Sequence, residues 1–121
     1  MMKLMSLEFP LNSDIMTSVR LVTGGVCALV GFDLDGTEDC KVCVTESLLI
    51  LSRGGAKTAR LSFEREEELI ILIEGQNEGD VPAESSVEDE ISVALLSALV
   101  DDLQISKERE FTRISFGVKT L

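Results

Sequence analysis

Cys40 and Cys43 stand three residues apart, and Glu46 follows three residues later. A Cys-x-x-Cys pair at the start of a helix can lower a thiol pKa, and with Cys27 it offers up to three sulfur ligands. The competing reading is packing. Three thiols are an odd count, and with no secretory pattern in Met1 to Pro10 they are expected to be reduced rather than a disulfide framework. Glu46 has the chemistry of a general base, against which stands the solvated carboxylate of an ordinary helix face. The chain has no histidine, tyrosine or tryptophan, which excludes imidazole-activated nucleophiles, His-ligated metals and nearly all aromatic stacking on bases.

Charge narrows the partners further. The formal net charge is −11, and from Glu66 to Ser106 there are twelve acidic residues and no Lys or Arg. Such a stretch repels phosphate, so nucleic acid is not an expected partner; it also keeps a small protein soluble. No apolar run approaches the roughly 18 residues that a membrane span needs, so neither a membrane location nor a membrane partner is expected, and the compartment expected is the cytoplasm. At 121 residues, 45% of them hydrophobic, the chain suits one domain over residues 1–121.

The elements that must position these side chains follow from periodicity. Met5, Leu7 and Phe9 alternate with polar residues, predicting a first strand closed by Pro10. Asn12, Ser13 and Asp14 are good caps for a helix whose apolar positions are Ile15, Val19, Val22, Val26, Leu29 and Val30, ending at Gly31. Gly24 and Gly25 inside it predict a close helix crossing or a bend. Phe32 to Gly36 reads as a turn, and Thr37 as the cap of a second helix running to about Arg53, stopped by Gly54 and Gly55.

Strands at Ala59 to Glu64 and Leu69 to Ile73 are joined by a charged turn at Arg65 to Glu68; the second is apolar on both faces and so the more central. Gly75 to Glu88 is a polar, acidic loop. Ile91 to Val100 predicts a third helix, apolar nearly all round, with Ile91, Leu95, Ala98 and Leu99 as its core stripe and Val93, Leu96 and Val100 off that stripe. Strands near Leu103 to Ser106 and Thr112 to Lys119 close the chain. This order predicts an α+β two-layer sandwich, a mixed sheet with three helices on one face, and a core that includes Ala59, Leu61, Phe63, Ile71, Ile114 and Phe116.

The same order is the layout of the histidine-kinase-like ATPase domain, and the chain resembles the anti-sigma-factor serine/threonine kinases of that fold. The resemblance covers nearly the whole length. Its most specific residues are Ser18-Val19-Arg20-Leu21 and Glu38-Asp39-Cys40-Lys41-Val42-Cys43-Val44-Thr45-Glu46. The resemblance implies a bacterial transcription regulator that binds a sigma factor. In the family, helix two carries a glutamate base and, one turn on, an asparagine that ligates ATP-bound Mg²⁺; Glu46 matches the first, but Ile50 stands at the second and cannot coordinate a hard cation.

The family's Asp-x-Gly-x-Gly motif falls on Gly75, Asn77 and Gly79, without its aspartate. Its glycine-rich phosphate cradle falls on Asp89, Glu90 and Ser92, two of them carboxylates that would oppose a triphosphate. The resemblance therefore implies a pseudokinase: no catalytic residue beyond a vestigial Glu46, no cofactor and no metal.

Arg20 matches the arginine with which family members hold their sigma factor, and competes with the reading of an ordinary exposed cation. The function expected is a regulatory interaction domain binding a sigma factor or its antagonist. The alternatives are a residual ATP-binding serine kinase acting on an anti-anti-sigma protein, and a structural, self-associating domain. The vacated nucleotide groove is expected to be closed by Ile50, Val93 and the Gly75 to Glu88 loop, with any excess apolar surface buried in a homodimer.

Overall fold

The computed structural model describes residues 2–78 and 86–119. Along the chain run β1 (Met2–Pro10), α1 (Ile15–Leu29), α2 (Leu34–Arg53), β2 (Thr58–Arg65), β3 (Glu68–Gln76), α3 (Val87–Leu99), β4 (Asp101–Lys107) and β5 (Phe111–Lys119). The strands form one sheet in the order β1-β2-β3-β5-β4, with α2 over its centre between α1 and α3. This is the expected α+β, two-layer arrangement.

The sheet is antiparallel throughout, not mixed as expected. The parity of the connections gives the reason. Two helices separate β1 from β2, so the chain makes a return trip and β2 runs opposite to β1. One helix, α3, does carry β3 to a strand of the same direction, β4. The following β5 then folds back between them, and no parallel pair forms.

Register places the apolar positions on a common face. Leu7, Leu61, Ile73, Ile114 and Ile105 form one cross-strand row, and Met5, Phe63, Ile71 and Phe116 the next. All six residues expected in the core are buried. The opposite face is polar, with rows of Ser6, Ser62, Leu72, Ser115 and Gln104 and of Glu8, Arg60, Glu74, Arg113 and Ser106. Burying one face only is the ordinary solution for an antiparallel sheet.

Local signals hold with three adjustments. β1 begins at Met2, ahead of Met5, and ends at Pro10 as expected, the proline being tolerated because β1 is an edge strand. Asn12 Oδ1 accepts from the Ile15 amide at 3.0 Å and starts α1. For α2 the cap is Asp33, not Thr37: Asp33 Oδ1 accepts from the Gly36 amide at 2.7 Å, while Thr37 sits in the first turn and donates back to the Asp33 carbonyl at 2.8 Å. The earlier carboxylate reaches the free amides first. Helix α3 begins at Val87 behind the Ser86 cap, within the span expected as loop. Gly24 faces α2, where an added Cβ would lie 3.0 Å from Lys41 Cε, whereas Gly25 faces open space. Gly55, at φ +96°, supplies the left-handed turn after α2.

The rotation of α3 differs from expectation. Leu96 is fully buried and Val93 and Val100 pack against the core, while Ile91 (57% exposed), Leu95 (40%) and Leu99 (36%) point outward. Periodicity alone favoured the stripe richest in large apolar residues. The helix instead turns Asp89 and Ser92 inward, and both are buried.

Candidate functional site

The chemistry-bearing residues gather along the seam between α2 and α3. On α2, Glu46, Ile50 and Arg53 are three to four residues apart and so share one face. On α3, Asp89, Ser92 and Leu96 repeat the same spacing and face them. Arg53 Nε donates to Asp89 Oδ1 at 2.5 Å, and its Nη2 donates to Ser92 Oγ at 2.6 Å and to the Glu88 carbonyl at 3.4 Å. Ser92 Oγ donates to Glu46 Oε2 at 2.6 Å. From the sheet side, Lys107 Nζ donates to Asp89 Oδ2 at 2.9 Å. Two carboxylates and two cations thus alternate around one hydroxyl, with formal charges that cancel.

Asp89 is the pivot. Its side chain is 7% exposed, and both oxygens are taken by cations. Burial pushes its carboxyl pKa up, but the hydrogen bonds and charges of Lys107 and Arg53 outweigh burial and hold it below the usual carboxylate range. The Asp89 amide also donates to Ser86 Oγ at 3.1 Å, so this residue closes the N-terminal cap of α3 as well.

A serine hydroxyl held against a carboxylate is the first half of a nucleophile arrangement. Here it is a clasp. Ser92 is 1% exposed and its oxygen is occupied on both sides, by Glu46 as acceptor and Arg53 as donor, so no substrate atom can approach it.

The structure brings Glu46, Ile50, Asp89 and Ser92 together in the seam. Ile50, 1% exposed, is a core residue. The expectation that Asp89 stands as a free charge is corrected: Arg53 and Lys107 neutralise it in place, while Glu90, like Glu88, is exposed. Gly75 is close to its neighbours for packing: a Cβ there would lie 2.8 Å from Leu51 Cδ2 and 3.0 Å from Ala56 Cβ.

Asn77 ties the end of β3 to the β4–β5 turn. Its amide group donates to the Glu108 carbonyl at 3.0 Å, and its backbone amide donates to the Glu110 carbonyl at 2.8 Å. Gly79, and the part of the acidic loop over residues 79–85, lie outside the described residues. Arg20 is exposed on α1, across α2 from the seam. The residues missed were Arg53 and Lys107. Arg53 was detectable, since it lies seven residues after Glu46 on the same α2 face; Lys107 was not, because only the fold brings it to Asp89.

The thiols belong to the core. Cys27, Cys40 and Cys43 are buried and form no disulfide. The hydrogen bond with Cys27, and then burial, push the Cys40 thiol up; burial pushes Cys43 up to about 12. Among the described residues no group of three His, Cys, Asp or Glu side chains could hold a metal ion, and no helix is long and apolar enough to cross a membrane.

An open depression of about 360 Å³ lies on the helix-free sheet face, lined by Glu8, Arg60, Glu74, Phe111 and Arg113 among others. Its arginines are engaged, Arg60 with Glu8 at 3.8 Å and Arg113 with Glu74 at 2.9 Å, so the charges cancel and no anion site results. Comparison with known proteins gives no matching family model and no matching curated relative.

Proposed function

We propose that the chain is a regulatory protein-interaction domain of the anti-sigma-factor kinase type whose ATP-Mg²⁺ site has degraded, and that it acts by binding a sigma factor or that factor's antagonist. The observation that carries the reading is the filled seam. The helix face that would present a base and a metal ligand to nucleotide in the resembling family instead presents Ile50 to the core and Glu46 to Ser92. Arg53 and Lys107, the cations nearest this seam, are committed to Asp89 rather than to a phosphate. The order of elements agrees with the layout expected from the resemblance, with β1, α1, α2, β2 and β3 followed by α3, β4 and β5.

On this reading the domain works by occupancy, holding its partner without phosphorylating it. Arg20, exposed on α1, is the residue proposed to meet the sigma factor. The test is co-purification with a sigma factor and with its antagonist from the source cells, followed by incubation of each complex with labelled ATP-Mg²⁺. The expected result is a complex weakened by Arg20→Ala and no labelled protein. A labelled antagonist would establish the residual kinase instead.

A further inference from the structure

The outer face of α3 has no role in the seam, and it is the most apolar helix surface exposed. Val87 (69% exposed), Ile91 (57%), Leu95 (40%) and Leu99 (36%) follow one another at intervals of four. In an α-helix that interval forms a continuous ridge winding slowly around the axis, about 20 Å long over these 13 residues. Ala94 and Ala98, also exposed, lie beside the ridge and leave a shallow groove along it. Ridges at intervals of four are those that interdigitate in the commonest packing of two helices. A long apolar ridge next to a groove of alanines therefore has the shape to receive another helix.

Charge selects which helix. The ridge is bordered by exposed Glu88 and Glu90 at its start and by Asp101 and Asp102 just past its end, and α3 itself has no basic residue. A second copy of this chain would bring a net charge of −11 against −11 and the same carboxylates against themselves. Anionic membrane surfaces are disfavoured for the same reason. A helix with an apolar stripe and flanking Lys or Arg satisfies both the ridge and its border.

We infer that the outer face of α3 is a docking surface for a basic amphipathic helix of a partner protein. This rests on the reading of the chain as an interaction domain, and it names a second surface, on the far side of α2 from Arg20. The seam sets the surface in place, because Asp89 and Ser92 fix the rotation that turns the ridge outward.

The test uses the whole chain and a synthetic helix with leucines at alternating three- and four-residue spacing, flanked by lysines. A version with glutamate for every lysine serves as control. Expected are saturable binding of the lysine helix, weakening as salt is raised, and at least a tenfold loss with Ile91→Asp/Leu95→Asp. That variant should still unfold in one cooperative step, with only a small drop in melting temperature, since Ile91 is 57% and Leu95 40% exposed. Arg20→Ala should leave this binding unchanged.

Absence of saturable binding, equal binding of the glutamate helix, or binding indifferent to the α3 substitutions would overturn the inference. So would a wild-type dimer that Ile91→Asp/Leu95→Asp converts to monomer, or binding to anionic vesicles through the same residues. A bound lysine helix together with a clear response to ATP-Mg²⁺ would sink the degraded-site reading while leaving the docking surface standing.

Discussion

Arg53 and Asp89 lie 36 residues apart in sequence and meet at 2.5 Å, Nε to Oδ1, where the last turn of α2 passes the first turn of α3. The contact sets the rotation of α3, and through it decides which residues fill the seam and which face solvent.

The pair makes stability depend on acid in a defined window. Because the folded-state pKa of Asp89 is depressed, its contribution is present above the ordinary carboxylate pKa of about 4 and is lost as pH falls through the lower folded value. Asp89→Asn should cost about 2 kcal/mol at neutral pH, less than a fully buried pair because Arg53 and Lys107 can still reach water. Urea midpoints of the two proteins should converge as pH is lowered below the ordinary carboxylate range. A gap independent of pH would show that the loss comes from packing or capping rather than from charge.

Ile50→Asn restores the residue type that a metal ligand would need but buries an amide in the core. The expected effect is a loss of about 3 kcal/mol in denaturant unfolding, with no gain of ATP affinity. A variant as stable as wild type would mean that this position opens to water.

Gly75→Ala tests the tight crossing of β3 beneath the end of α2. The new methyl would meet Leu51 Cδ2 at 2.8 Å, Ala56 Cβ at 3.0 Å and the Thr58 carbonyl at 3.1 Å. Overpacking of this kind costs about 1 to 3 kcal/mol, readable as a lowered melting temperature. A neutral substitution would contradict the packing role assigned to this glycine.

The thiols give a direct readout of the core. Cys40 and Cys43 are buried with raised pKa values, the latter about 12, so at pH 8 both are neutral and sheltered. A disulfide-exchange reagent should react slowly with Cys40 and Cys43 in the native protein and rapidly with all three thiols once it is unfolded. Rapid native reaction at Cys40 or Cys43 would revive the redox reading.

Much of the fold was legible because strands buried on one face write their register as alternation. Ala59, Leu61 and Phe63 on β2 and Ile114 and Phe116 on β5 face the core as that alternation requires. The apolar run of β3 placed it centrally, and it is the third of five strands. The rotation of α3 was not legible, because a helix apolar on every side has no periodicity to orient it. The deciding contacts come from Arg53, 36 residues before Asp89, and Lys107, 18 residues after it. Only tertiary structure brings them together. The sheet's antiparallel order was hidden for a similar reason, since nothing local to β4 or β5 says that β5 inserts beside β3.

The central claim is that nucleotide no longer has a place between α2 and α3, and thermal unfolding with and without millimolar ATP-Mg²⁺ tests it most directly. A ligand that binds only the folded state at ten times its Kd stabilises by about 1.4 kcal/mol, which for a domain of this size raises the melting temperature by roughly 5 °C. The account predicts no shift beyond that produced by Mg²⁺ with an equal charge of sodium triphosphate. A saturable, ATP-specific upward shift, abolished by substitution of Glu46, would contradict it.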